Sequence, residues 1–488
     1  MHCTVETGFV GRTYDDFLFR PQPGVAASRR DISLRTRLSP RLSLELPVVS
    51  ANMDSVTGAE MAKAMALEGG VGFIHRGMPI ATQAEAVARV KRTHSYIVEQ
   101  PLCLPRGTTI REAREFTVQH NITGILIEET RGSGILVGLL SNRDLPWIEG
   151  FEDHRVEEFM TPVEKLVTGP PDIAVEAAER RMFDHRIEKL PLVDADGRIQ
   201  GLITKKDLIL ARRRPYTSKD AKGRLLVGAA IGARGDFLER AAELLRVGAD
   251  LILIDIAHGD SAIMGQAVGA FRAKFGGVAL VCGNVGTSEG AAFLRDLGVD
   301  AIKVGIGPGR GCRTRLETGA GVPQLQAVRE AWCAVGETVP IIADGGIRDD
   351  KDIFLALVCG ASSVMLGSML SGTDEAPGSV IEDPGTGEKR KIYRGMTSPQ
   401  AVFDALYSGE SPEASELALD VPAEGQEVQI PYKGSVLEIL HRIRGHLRSA
   451  VSYAGENTLA AVRAKVLPEP LRYLIPLSPA ARAESYER

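Results

Sequence analysis

Eight short apolar runs constrain this chain more than any other feature. They cover residues 47–51, 70–75, 225–231, 250–257, 279–285, 300–307, 339–346 and 362–368, and each gives way to glycine or polar residues. The runs are continuous rather than alternating, which suits strands buried on both faces, as in a parallel sheet. Helical spacing fills the gaps. Residues 236–247 place apolar side chains on one helical face and stop at Gly248. Eight strands with intervening helices predict an α/β fold, a (β/α)8 TIM barrel. The competing open, doubly wound sheet would carry Gly-x-Gly-x-x-Gly directly after its first strand, and no such motif follows residues 47–51.

The series is interrupted. At 488 residues the chain is long enough for more than one domain, and residues 97–215 do not continue the barrel pattern. The barrel is therefore expected in two parts, 1–96 and 216–488. The interruption holds a repeat. Gly138-Leu-Leu-Ser141-Asn-Arg-Asp144 returns 63 residues later as Gly201-Leu-Ile-Thr204-Lys-Lys-Asp207, and His120-Asn-Ile122 returns as His185-Arg-Ile187. Each half reads as helix, strand, turn, strand, then the motif. This insert resembles a tandem pair of cystathionine-β-synthase (CBS) domains, a Bateman module, with halves over 97–150 and 156–212. The resemblance implies purine nucleotides such as ATP or GTP between the repeats. Ser141 and Thr204 would meet phosphate, and Asp144 and Asp207 ribose. In the residues alone, each aspartate also reads as a helix N-cap. Arg212, Arg213 and Arg214 read as a solvated link back to the barrel.

Charge and cysteine usage exclude several classes. A net charge of −5 gives no ground for a nucleic-acid or anionic-membrane partner. No apolar run approaches the roughly 20 residues that span a bilayer. The first residues, with Glu6, Arg12, Asp15 and Asp16, lack a signal-peptide pattern. Cysteines stand at 3, 103, 282, 312, 333 and 359 with no Cys-x-x-Cys pair. Neither a zinc site nor a disulfide framework is expected, and a reducing cytoplasm fits.

In such a barrel the active site lies at the C-terminal strand ends. Those ends carry Asp255-Ile-Ala257-His258, the loop from Gly305 to Cys312, Asp344-Gly345-Gly346 and Gly367-Ser368. Glycine lets a loop approach a ligand closely. A cysteine held there is either an attacking thiolate or an incidental small residue in a turn. Glycine-rich turns after the seventh and eighth strands imply a phosphorylated substrate. Asp344 reads as a ribose ligand or as a loop cap. Residues 372–430, rich in Gly, Pro, Glu and Ser, read as an irregular lid. Residues 434–453 read as the closing helix, and 454–488 carry little signal.

The motifs around these strands are similar to those of the IMP dehydrogenase/GMP reductase family. They are Ala51-Asn-Met53-Asp, Gly72-Phe-Ile-His75, Gly283-Asn-Val285, Lys303-Val-Gly-Ile-Gly-Pro-Gly309, Cys312-x-Thr314, Thr318-Gly-Ala-Gly-Val-Pro-Gln324, Ala343-Asp-Gly-Gly-Ile347, Tyr393-Arg-Gly-Met396 and Pro431-Tyr-Lys-Gly434. The resemblance implies a purine nucleotide, GMP or IMP, and a nicotinamide cofactor, NADPH or NAD. Cys312 would attack C2 of the purine, with Thr314 and Glu424 relaying the proton. Met53, Tyr393, Gly395 and Met396 would join Asp344, Gly345, Gly346, Gly367 and Ser368 around the substrate. Asp255, Ala257, Gly305, Gly307 and Arg76 would hold the cofactor. Backbone carbonyls of Gly307, Gly309 and Cys312 would take K+. A homotetramer, pairing to an octamer through the CBS modules, is also implied. His75 and His258 are expected to be positional. Two departures stand out. Arg310 and Gly311 replace a serine and an apolar residue, so one phosphate contact is lost and Arg310 offers a charged one. Arg313 is expected to lower the Cys312 pKa.

Within the family, the dehydrogenases activate water with an Arg-Tyr pair in the flap. The flap here, including Ala405-Leu-Tyr407-Ser-Gly-Glu-Ser-Pro, has no such dipeptide; Arg472-Tyr473 lies in the tail. Asp255-Ile-Ala-His-Gly is also closer to the reductase pattern Asp-Val-Ala-Asn-Gly than to the dehydrogenase pattern Asp-Ser-Ser-Gln-Gly. The CBS insert is commoner on dehydrogenases, although an actinobacterial reductase branch shares this layout. The expectation is a GMP reductase. The alternatives are an IMP dehydrogenase and a weakly catalytic nucleotide sensor.

Overall fold

The computed structural model describes residues 5–93, 97–98, 101–120, 122–146, 150–206, 208–209, 215–398 and 424–486. Two compact units result, one from Met1–Thr93, Tyr216–Asp220 and Leu225–Arg488, the other from His94–Pro215 and Ala221–Arg224. No helix among the described residues is long and apolar enough to cross a membrane.

In the first unit eight parallel strands close into a barrel. They are β1 (Val48–Ser50), β2 (Val71–Ile74), β3 (Gly228–Ile231), β4 (Leu251–Asp255), β5 (Ala279–Val285), β6 (Ala301–Val304), β7 (Ile341–Asp344) and β8 (Ser363–Leu366). Each lies inside one of the eight apolar runs. β8 closes on β1 through Val364↔Val48 and Met365↔Val49. β2 meets β3 across the interruption through Gly228↔Phe73. Every residue of β2, β3 and β6 is buried, because side chains on one face fill the barrel and those on the other meet helices.

The helices are α1 (Ala59–Leu67), α2 (Ile80–Arg92), α3 (Phe237–Arg246), α4 (Ala262–Phe275), α5 (Ser288–Asp296), α6 (Gln324–Val335), α7 (Asp350–Cys359) and α8 (Val436–Tyr453). α3 ends before Gly248, whose φ of +100° suits glycine. The buried Arg240 of α3 is satisfied by Asp236 at 2.8 Å, the Met78 carbonyl and Gln83. At the start of α8 the Ser435 hydroxyl accepts the Leu437 amide. α8 buries Leu440, Ile443 and Leu447, each contributing about 1.5–3 kcal/mol.

Two regions differ from expectation. The segment read as an irregular lid carries a three-stranded antiparallel sheet of Ile381–Glu382, β9 (Lys389–Arg394) and β10 (Glu427–Pro431). Its Gly and Pro content masked an inward face of Lys391 and Tyr393, both 3% exposed. Lys391 is tolerated inside because its ammonium donates to the Thr373 and Ala376 carbonyls. The tail, too, is ordered. Its strand Leu474–Pro476 pairs with Phe17–Phe19, and a helix follows over Pro479–Tyr486. The flap stretch 405–417 lies outside the described residues.

The second unit repeats one arrangement. Helix Ile110–His120 precedes strands Gly124–Glu128 and Leu136–Ser141; helix Val175–Asp184 precedes strands Lys189–Val193 and Ile199–Thr204. Lead strands cross over: Ile97–Val98 pairs with Ile199–Thr204, and Thr161–Pro162 with Leu136–Ser141. Leu126, Leu136 and Leu202 form a shared core between the halves. Asp207 and the expected Arg212–Arg214 link lie outside the described residues.

Candidate active site

At the C-terminal ends of the barrel strands a cavity of about 1690 Å³ opens. Its wall brings together Met53, Arg76, Asp255, Ala257, Gly305, Gly307, Gly309, Cys312, Thr314, Asp344, Gly345, Gly346, Gly367, Ser368, Tyr393, Gly395, Met396 and Glu424. These residues come from six strand ends and from the flap.

Cys312 lies on the loop after β6, and Thr314 opens a short helix, Thr314–Glu317. The Cys312 Sγ is 3.2 Å from Thr314 Oγ1, which lies 2.6 Å from Glu424 Oε2 and donates to it. A threonine hydroxyl has one proton. Because that proton is given to Glu424, the hydroxyl accepts from the thiol. Thiol, hydroxyl and carboxylate form one chain along which a proton can move.

Backbone contacts hold this chain in place. The Arg313 amide donates to the Glu424 carbonyl at 2.7 Å, and the Gln426 amide to the Gly311 carbonyl at 3.0 Å. A Cβ on Gly395 would lie 2.5 Å from the Gly311 oxygen. Glycine is required where the flap backbone presses on the cysteine loop.

At the cavity floor, Lys303 of β6 is buried, with its ammonium 2.6 Å from Asp344 and 3.0 Å from Asp255. Burial opposes the ammonium, but the two carboxylates outweigh it and raise its pKa. Asn52 donates to Asp255 at 2.7 Å, and Asn284 to Asp344 at 3.0 Å. Asn284 Oδ1 is buried with no partner. The sequence reading assigned no role to Lys303, Asn52 or Asn284. A lysine inside a buried strand was the signal for the first, since such a charge requires partners.

The other end of the cavity is rich in amide donors. Gly345 and Gly346 turn the chain with φ of +88° and +76°. The amides of Gly346, Ser368 and Met369 have no partner among the described residues, so they can cradle an anion. Tyr393 is buried there, with its pKa raised by burial and by Asp344. The tail residues Arg482, Ser485 and Tyr486 and the flap's Lys433 also line the cavity; the sequence reading assigned a role to none of them.

Two expectations are corrected. Arg313 does not turn its charge on the thiol; it pairs with Glu317 at 2.7 Å, one helical turn on. Arg315, in that short helix, donates to the Ile306 and Val322 carbonyls, and burial lowers its pKa. A disulfide is present at Cys333, which the cysteine spacing did not indicate. Cys103, Cys282, Cys312 and Cys359 are free. Burial pushes the Cys103 thiol up to about 11 and that of Cys359 up to about 12, and raises Cys282 as well.

The remaining expected residues are placed as follows. His75 is buried, with Nδ1 unpartnered; burial lowers its pKa to about 4, so it is neutral. His258 is exposed. The Gly309 carbonyl, one expected K+ ligand, accepts the Cys312 amide at 3.0 Å. In the second unit, the Ser141 amide and hydroxyl both donate to Asp144, at 2.8 and 2.7 Å.

Residues 11–485 match the family model described as the IMP dehydrogenase / GMP reductase domain. The chain belongs to the IMP dehydrogenase/GMP reductase family. Similar curated proteins include inosine-5'-monophosphate dehydrogenase of Nitrosopumilus maritimus (strain SCM1), 43% identical over 92% of this chain and 93% of that one. That of Aquifex aeolicus (strain VF5) is 42% identical over 93% and 92%. Among solved structures, a GMP reductase variant of Trypanosoma brucei in complex with guanosine 5'-monophosphate superposes with a TM-score of 0.81. It is 36% identical and covers 99% of this chain and 98% of its own. The same organism's GMP reductase with guanosine 5'-triphosphate gives 0.72 at 33% identity, covering 97% and 99%. Family membership makes this chain an oxidoreductase of purine-nucleotide metabolism that works with a nicotinamide cofactor.

Proposed function

We propose that the chain is a GMP reductase, which converts GMP to IMP and ammonia with NADPH. One observation carries the reading: the Cys312–Thr314–Glu424 chain, 3.2 and 2.6 Å in its two steps, in a protein whose flap sequence lacks an Arg-Tyr pair. Cys312 attacks C2 of the purine, and its proton passes through Thr314 to Glu424. The same proton returns to the departing amine, which leaves as ammonia. No water needs activation. When bound, the nicotinamide supplies the hydride that C2 receives as the thiolate departs. The cavity fits such a cofactor: its wall includes Asp255, Ala257 and Arg76 beside Asn284. Asp344 suits ribose hydroxyls, and Gly346, Gly367 and Ser368 suit the phosphate.

In the same reading the barrel runs over 1–96 and 216–488. Residues 97–215 are a tandem CBS pair that binds ATP or GTP through Ser141, Asp144, Thr204 and Asp207. The family resemblance carries the rest of the reading: a homotetramer that pairs to an octamer, a K+ ion on the carbonyls of Gly307, Gly309 and Cys312, and a cytoplasmic location.

A second reading, NAD-dependent oxidation of IMP to XMP, is favoured by the names of the curated relatives. A spectrophotometric assay separates the two. Oxidation of NADPH that depends on GMP and releases ammonia supports the reductase. NADH formed from IMP, with XMP as product and GMP inert, selects the dehydrogenase. Silence with both pairs favours a nucleotide sensor.

A further inference from the structure

We propose that Arg310 and Lys433 form a two-cation clamp that selects the dianionic 5'-phosphate of the substrate. The proposal rests on the reading that a purine mononucleotide occupies the cavity.

The two cations come from separate loops and line the same cavity. Arg310 precedes Cys312, is exposed, and makes no ion pair or side-chain hydrogen bond among the described residues. Lys433 donates to the carbonyls of Ser368 at 2.6 Å and Met369 at 3.1 Å. An ammonium has three donors, so one is left over, beside the amides of Ser368 and Met369. A chain of contacts joins the two loops. A Cβ on Gly311 would lie 3.3 Å from the Tyr393 ring, and one on Gly367 would lie 2.9 Å from the Tyr393 hydroxyl.

Neither cation has a carboxylate partner among the described residues. The charged groups around Lys433 are otherwise engaged. Arg442 and His446 of α8 both hold Asp350, at 3.1 and 2.6 Å. Glu375 accepts from Ser435 and from the Val436 amide, both at 2.7 Å, and Asp374 accepts from the Tyr432 hydroxyl. Burial first, then Arg310 and Arg442, lowers the Lys433 pKa to about 8. Two cations at the end of one cavity raise each other's energy, and one dianion relieves both. The serine that Arg310 replaces could only have offered a neutral hydrogen bond, whereas guanidinium–phosphate pairs are charge-assisted and bidentate.

Calorimetric titration of the full chain without cofactor tests the clamp, with GMP, IMP, guanosine and inorganic phosphate as probes. Arg310→Ser and Lys433→Gln should each weaken GMP, IMP and phosphate by about tenfold or more, the scale of a charged hydrogen bond. Guanosine should bind all variants equally, which separates charge recognition from general damage to the fold. Lys433→Arg should rescue most of the affinity. If Lys433→Gln fails to fold, Arg310→Ser still decides the matter. GMP affinity within twofold of wild type in Arg310→Ser overturns the clamp. Wild-type protein that binds phosphate but neither nucleotide, with phosphate weakened in Arg310→Ser, overturns the mononucleotide reading and upholds the clamp.

Discussion

The barrel mouth and the inserted unit treat their motif residues in opposite ways. At the mouth, Cys312, Thr314 and Glu424 meet from positions more than a hundred residues apart. Polar capacity is left over there: the Asn284 Oδ1 and the amides of Gly346 and Ser368. In the insert, the Ser141 amide and hydroxyl both end on Asp144, three residues away. A site shaped for a ligand keeps donors and acceptors in reserve, because buried polar groups without partners are costly and a ligand can satisfy them. A motif that closes on itself is a stable turn first. It becomes a ligand site only if the ligand competes with the turn.

The largest test of this contrast is Cys312→Ala. Loss of a covalent nucleophile costs on the order of 10⁶-fold in turnover, and nucleotide affinity should survive, because the phosphate and ribose contacts lie elsewhere. Turnover that persists would break the barrel side of the comparison. Glu424→Gln comes next. It keeps the hydrogen bond to Thr314 and removes the proton acceptor, so turnover should fall by about 10²–10⁴-fold with affinity for GMP little changed. Single-turnover measurements should place the loss in ammonia release rather than in hydride transfer.

Much of the mouth was legible because its constraints are written locally. Buried parallel strands produce continuous apolar runs, so β1 to β8 could be located from composition alone. The cysteine loop needs glycine where it meets Gly395, and the glycines were visible. Other features depend on distance or direction. Lys303 was hidden inside an apolar run, and its partners Asp255 and Asp344 belong to other strands. Nothing in the string pairs Leu474–Pro476 with Phe17–Phe19 across the length of the chain. Arg313 caps the short helix Thr314–Glu317 and Arg315 lies within it, two residues on, so they point in different directions. The sequence reading turned Arg313 on Cys312, and the structure turns it on Glu317 instead. In the insert the repeat was legible, but the Ser141–Asp144 bond that its motif forms with itself was not.

Asp144→Ala probes the insert side. If the motif serves a nucleotide, the effect of ATP and GTP on turnover should vanish, a loss of about 5–150-fold in coupling. If the motif is only a turn, the response should persist and stability should drop by about 1 kcal/mol.

A pH series then asks what the buried mouth contributes to stability. Burial holds the His75 pKa at about 4, below its ordinary 6.5. As pH falls below 6.5 the unfolded chain takes up a proton that the folded chain refuses. The stability tied to neutral His75 is therefore complete above about pH 6.5 and lost as pH falls toward 4, by about 3 kcal/mol in all. Urea midpoints measured from pH 4 to pH 7 should show this acid limb in wild type and a flatter one in His75→Gln.

The smallest effect belongs to Arg313, and it sharpens the contrast from within the mouth. Its pairing with Glu317 joins two half-exposed side chains, and such pairs contribute about 0–1 kcal/mol. If its charge is spent there, Arg313→Ala should leave turnover close to wild type. Arg315→Lys should lower turnover more than Arg313→Ala does, because lysine cannot copy its fork of donors to the Ile306 and Val322 carbonyls. Turnover that falls with Arg313→Ala and not with Arg315→Lys would return the thiol to the cation beside it in sequence.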